Sequence, residues 1–306
     1  MSLDRVAVVG VGTMGSRIGF QCAVSGKQVN LYDASPQALQ EGLSKIQTWL
    51  RERTSPDEVA AVLERIRTCG SLEDCVGDVD LVVENVPENL PLKRDVFAKM
   101  DRAAAPSTIF LTNSSSLPAS RLASATGRPD KVLNANFHDP VHQKDLVEVM
   151  RDSPVSDETL NQVECFLKEI KTIPVVTDRE IMGFSFNRIW RTIKRECLHL
   201  VADGYSNFED IDRCWILTFG GELAPFLLMD RVGLDVVRDI EMQYYHDSGE
   251  ERDRPPELLD RMIANGRRGV KSGRGFYTYP NPEYQQPGWL RKEPPWTPDK
   301  MVKLED

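Results

Sequence analysis

The period of the apolar positions changes once along the chain, near residue 178. Before it, short runs rich in Val, Ile and Leu alternate with amphipathic stretches; after it, the spacing is that of helices. The runs are RVAVV from residue 5, QVNLYD at 28–33, DLVVENV at 80–86, TIFLTN at 108–113, KVLNANF at 131–137, LVEVM at 146–150 and IPVVTD at 173–178. Several are apolar without alternation, as strands buried on both faces of a sheet are. Between them the pattern predicts helices from the first glycines to about Ser25, over 36–52, and over 56–68, the last opened by Ser55 and Pro56. Strand and helix in alternation predict an α/β fold, a Rossmann-like doubly wound sheet over residues 1–178. Helical spacing over 184–204 and 208–265 predicts an all-α second domain over 179–306. Pro280, Pro282, Pro287, Pro294, Pro295 and Pro298 predict an irregular tail lying on the surface or on a partner subunit.

Composition narrows the function classes. A chain of 306 residues that is 41% hydrophobic can bury two substantial cores. A net charge of −9 is opposite to the basic footprint of a nucleic-acid binder, so no nucleic-acid partner is expected. No run approaches the 18 to 20 or so apolar residues of a membrane helix, and no membrane partner is expected. Cys22, Cys69, Cys75, Cys165, Cys197 and Cys214 form no C-x-x-C pair, which speaks against a metal centre or a disulfide framework. Reduced thiols fit a cytoplasmic protein.

Gly10, Gly12 and Gly15 form G-x-G-x-x-G directly after the first strand and at the opening of a helix. A dinucleotide needs missing side chains there, for a tight turn, for close approach of backbone to pyrophosphate and for helix packing. Asp33 ends the second strand, where a carboxylate accepts hydrogen bonds from an adenosine ribose and repels a 2′-phosphate. The implied cofactor is NAD. The same aspartate, followed by Ser35 and Pro36, is also ordinary turn chemistry.

Ligands of open α/β sheets bind beyond the carboxyl ends of the strands, which here are followed by ENVPENLPLK, TNSSSL and NANFHDPVH. With VAVVGVGTMG, DPVHQKDLVEVM, GFSFNR, APFLLMDRVGLD and KSGRGFYTY in this order, the chain resembles the 3-hydroxyacyl-CoA dehydrogenase family almost to residue 279. The resemblance implies hydride transfer between NAD and the hydroxyl of a 3-hydroxyacyl-CoA or a small anionic hydroxy acid, and a homodimer joined through the helical domain. It implies cofactor contacts at Glu88, Lys93 and Asn113, a substrate-oxygen serine at Ser115 and an oxygen-binding amide at Asn187. From the residues alone, Ser115 and Asn113 read equally as helix caps, and Glu88 with Lys93 as a solvated pair.

The chain departs from the family at the catalytic histidine, whose place is taken by Asn136, with Asp139 and Pro140 standing where the family has Asn-Pro. An amide can hydrogen-bond the reacting oxygen but cannot take its proton at neutral pH. His138, two residues on and on the same face of a continuing strand, is the leading replacement; His142 and Lys144 follow. Glu148 matches the family's acidic partner, which holds the imidazole in one tautomer. A different reading is an NAD-binding protein whose catalysis is altered or lost with the histidine. In the helical domain, Arg191 and Lys194 lie four and seven residues past Asn187, with Arg195 beside them. If that face meets the substrate, the cluster would clamp a carboxylate; otherwise it is a solvated surface.

Overall fold

The computed structural model describes residues 2–53, 55–138, 141, 145–151 and 154–292. In chain order its first part runs β1 (Arg5–Val9), α1 (Thr13–Val24), β2 (Gln28–Tyr32), α2 (Pro36–Arg53), α3 (Pro56–Leu63), β3 (Ile66–Thr68), α4 (Leu72–Val76), β4 (Leu81–Glu84), α5 (Leu90–Ala103), β5 (Ile109–Thr112), α6 (Ser120–Ala123), β6 (Val132–Phe137), β7 (Leu146–Met150), α7 (Asp157–Glu169) and β8 (Ile173–Thr177). The strands form one sheet in the order β3-β2-β1-β4-β5-β6-β7-β8. All neighbours are parallel except β6 and β7. The connection 138–145 is shorter than the dozen or so residues a parallel crossover requires, so β7 returns beside β6 antiparallel.

Alternation along the strands sends Val6, Val8, Val83, Leu111 and Val147 to one face, against α1, α2 and α7. Ala7, Val9, Val82, Phe110 and Val132 go to the other, against α4, α5 and α6. The sheet is therefore buried on both sides, as its unbroken apolar runs require. The helix predicted over 56–68 is shorter. Its start is fixed by a capping box between Ser55 and Glu58, but it ends at Leu63, and Ile66–Thr68 pair with β2 as the edge strand. An open sheet edge outweighed helical periodicity there.

The chain divides into two compact units, Met1–Ser185 and Phe186–Asp306. The second is built from α8 (Phe184–Ala202, which begins just before the division), α9 (Phe208–Phe219), α10 (Pro225–Val232), α11 (Leu234–Ser248) and α12 (Glu257–Ala264). Leu198, Phe226, Met229, Leu258, Tyr277 and Trp289 form its core. Asp212 and Asp230 are fully buried beside it. Asp212 accepts the N–H groups of Phe226 and Leu227 and the Tyr277 hydroxyl; Asp230 accepts the N–H groups of Phe276 and Tyr277 and the Tyr279 hydroxyl.

The first part of the proline-rich tail folds onto this same unit. Trp289 is buried in the core, the Arg213 guanidinium lies 4.3 Å from its ring centroid, and Arg213 Nε donates to the Trp289 carbonyl at 2.8 Å. Pro294, Pro295 and Pro298 lie outside the described residues. Among the described residues, no helix is long and apolar enough to cross a membrane.

Candidate active site

Two of the three glycines of the first turn are required by close backbone contacts. Gly10 has φ 89°, and a Cβ on it would stand 2.7 Å from the Asn85 carbonyl oxygen; one on Gly15 would stand 1.8 Å from the Gly10 carbonyl oxygen. Both are required by the fold itself. Gly12 differs, because a Cβ there would meet no atom of the protein within 4 Å. It opens α1, whose N-terminus has no capping side chain and no acidic residue in its first turn. Unsatisfied N–H groups facing open space are what a pyrophosphate needs. Asp33, just past β2, accepts Val11 N–H at 2.8 Å and Ser35 N–H at 2.9 Å, so it braces the glycine turn as well as standing at the ribose position. These residues fit NAD. Gly12→Ala is accordingly expected to leave the thermal midpoint unchanged and to weaken NADH binding about tenfold or more by calorimetry; an equal affinity would show that no pyrophosphate approaches this backbone.

Beyond β4 and β5 lies a polar network centred on a residue not singled out by its sequence context. Glu84 is fully buried at the end of β4. It accepts Lys93 Nζ at 2.8 and 3.0 Å, the Thr112 hydroxyl at 2.7 Å and Val86 N–H at 2.6 Å. Lys93, expected as a direct cofactor contact or a solvated charge, is turned inward with its side chain 2% exposed; its Nζ also lies 3.4 Å from Glu88. Glu88 in turn accepts the hydroxyls of Ser114 and Ser116 and the N–H groups of Ser116 and Leu117. Burial raises the Glu88 pKa, but the two hydroxyls and Lys93 outweigh it and leave it below the usual carboxylate range.

This network shapes the serine loop. Buried Asn134 of β6 accepts Ala119 N–H at 2.5 Å and donates to the carbonyls of Ser114 and Leu117. Asn113 accepts Phe137 N–H at 2.8 Å, joining the end of β5 to that of β6. With its neighbours turned inward, Ser115 is exposed. A small crevice beside the loop is closed by Asn134, Met150 and the Ile181–Phe184 segment.

On β6 and β7, Asn136 stands directly across from Glu148. Ala135 and Phe137 point into the core on the far face, so Asn136 and His138 share the near one. His138 Nε2 lies 3.0 Å from Glu148 Oε2; the histidine side chain is 13% exposed and the glutamate 2%. The structure thus brings His138 and Glu148 together, with Asn136 adjacent. Asp139, Pro140, His142 and Lys144 lie outside the described residues.

Asn187 belongs to α8 and is half-buried in the second unit. The basic cluster that follows it does not present an open anion clamp. Lys194 Nζ lies 2.8 Å and Arg191 Nε 3.4 Å from Glu241, while Arg191 Nη2 is 3.0 Å from Asp253 and Arg195 also pairs with Asp253. Arg191 additionally stacks on Tyr244 at 4.5 Å. Carboxylates from α11 and the turn after it meet the charges of Arg191, Lys194 and Arg195, the residues expected as a substrate clamp, inside the unit.

A sheet of this order, a glycine turn fitted to a dinucleotide and an imidazole–carboxylate pair at the strand ends define an NAD-dependent oxidoreductase acting on a CH–OH group. The model of the 3-hydroxyacyl-CoA dehydrogenase NAD binding domain matches residues 5–181, and that of the family's C-terminal domain residues 183–279. The chain belongs to the 3-hydroxyacyl-CoA dehydrogenase family. It is 34% identical over 285 residues to a probable 3-hydroxybutyryl-CoA dehydrogenase of Bacillus subtilis, covering 91% of this chain and 98% of that one. It is 29% identical to a 5-formyl-3-hydroxy-2-methylpyridine 4-carboxylate 5-dehydrogenase of Mesorhizobium japonicum, over 90% of this chain and 91% of that one. The crystal structure of (S)-3-hydroxybutyryl-CoA dehydrogenase from Ralstonia eutropha superposes with a TM-score of 0.85 at 31% identity, covering 92% of this chain and all of that one. These likenesses give no support to a dinucleotide-binding protein that has lost its chemistry.

Proposed function

We propose that the protein is an NAD-dependent dehydrogenase of short 3-hydroxyacyl-CoA substrates in which His138, in place of the family's histidine, takes the hydroxyl proton. The observation that carries this reading is the 3.0 Å contact between His138 Nε2 and Glu148 Oε2 beside Asn136. Bound NAD supplies the hydride acceptor. With Nε2–H donating to Glu148, the lone pair of the ring is on Nδ1, the atom that receives the proton. Glu148 fixes that tautomer and stabilises the imidazolium formed. Ser115 and Asn136 hydrogen-bond the reacting oxygen, and Gly10, Gly12, Gly15, Asp33, Glu88, Lys93 and Asn113 shape the cofactor site, Lys93 through Glu84 and Glu88.

The thioester is favoured over a free acid because the cations that would hold a carboxylate, Arg191, Lys194 and Arg195, already face Glu241 and Asp253. The names of the relatives from Bacillus subtilis and Ralstonia eutropha support the same substrate class. Exposed Ile189, Leu217 and Phe219 on α8 and α9 support a homodimer, and six free thiols support a cytoplasmic setting.

The test is NADH oxidation with acetoacetyl-CoA and NAD reduction with 3-hydroxybutyryl-CoA and with free 3-hydroxy acids. Turnover of the thioesters is expected. Turnover of free acids alone would move the substrate to that class, and silence on the whole panel with NADH bound would overturn the reading.

A further inference from the structure

The strand order divides the crevice at the carboxyl ends into two halves on either side of the β1–β4 boundary. Asp33 beyond β2 and the bare N-terminus of α1 beyond β1 serve the adenosine and the pyrophosphate. The other half, beyond β4 and β5, is left for the nicotinamide. There the structure assembles Glu84, Glu88 and Lys93, two carboxylates against one ammonium. Among the described residues, Lys93 is the cation in ion-pair contact with either carboxylate. Thr112 donates to Glu84, and Ser114 and Ser116 donate to Glu88, which favours the anionic form of Glu88.

One negative charge is therefore left over, and its location is defined by exposure. Glu84 is fully buried and shares both oxygens with Lys93, whereas the Glu88 side chain is 40% exposed. The oxidised nicotinamide ring carries a positive charge and the reduced ring none. A fixed carboxylate in this half stabilises the first and has little effect on the second.

We propose that Glu88 sets the preference of the site for the oxidised cofactor over the reduced one. The proposal rests on the NAD reading above and goes beyond it, assigning Glu88 an electrostatic role in redox preference in addition to its place in the loop. Removing the charge is expected to shift the ratio of NAD+ to NADH affinity about three- to tenfold toward NADH, the range for a partly exposed charge pair.

The test measures the binding of NAD+, NADH and ADP-ribose to the full chain by calorimetry, for the unaltered protein, Glu88→Gln and Glu88→Asp. Both substitutions keep an acceptor oxygen for the Ser114, Ser116 and Leu117 donors. The glutamine variant is expected to lower NAD+ affinity more than NADH or ADP-ribose affinity, shifting the ratio toward NADH, and the aspartate variant to keep the original ratio. An unmoved ratio in the glutamine variant, or an equal shift in both, would overturn the proposal. Failure of the unaltered chain to bind any of the three nucleotides would instead overturn the cofactor reading on which it stands.

Discussion

Replacing His138 by alanine is expected to lower kcat by about two to four orders of magnitude, the usual contribution of a positioned general base, while NADH affinity changes little. The two readouts separate because His138 follows β6, whereas the residues fitted to the pyrophosphate and ribose lie at the ends of β1 and β2. Glu148→Gln is expected to cost less, about a hundredfold, because its carbonyl can still accept the Nε2–H while the charge opposite the imidazolium is gone. Steady-state rates with a thioester, together with NADH titration by fluorescence, check both. An unchanged rate in His138→Ala would return the base to the segment holding His142 and Lys144.

The parts of the site that were legible in the sequence are those whose constraint is local. Gly10 and Gly15 announce themselves as parts of one short motif; the contact that keeps Gly15 bare lies within it, at Gly10, whereas the backbone that meets Gly10, at Asn85, comes from far along the chain. Strand alternation fixes which side Glu148 takes and the β6–β7 register sets it opposite Asn136, but alternation alone fits a solvent-facing residue equally, and only the family resemblance pointed to an imidazole partner. Glu84 was not singled out. As the last residue of an apolar strand it resembles a solvent-facing terminus, and its burial depends on α5 folding Lys93 back over it. The partners of the basic residues of α8 were not legible for a related reason. Their spacing in the helix was right, but Glu241 and Asp253, which meet their charge, come from α11 and the turn after it, far along the chain. Local spacing says where a charge points and not what it meets.

That limit applies equally to the buried carboxylates of the helical unit, which give the second large expected effect. Burial pushes the Asp212 pKa up to about 7, partly opposed by the donors Phe226 N–H, Tyr277 hydroxyl and Leu227 N–H. Burial likewise pushes Asp230 up to about 6. A carboxyl with a raised folded pKa holds a proton that the unfolded chain has already released, so its contribution to stability is intact below the unfolded value near 3.8 and is lost as pH rises through the folded value. For Asp212 that window runs from about 4 to about 7, and at 1.36 kcal/mol per pKa unit the loss amounts to at most about 4 kcal/mol. Asp212→Asn cannot ionise. It is expected to be less stable than the unaltered protein at pH 5 by about 1 to 3 kcal/mol, because the amide nitrogen cannot accept the N–H it would face. The gap should then narrow or reverse by pH 8, where the aspartate carries its buried charge. Urea unfolding at the two pH values measures the gap directly. A gap that stays constant or widens with pH would mean that the three donors hold Asp212 ionised throughout, making it a charged anchor for the start of α10.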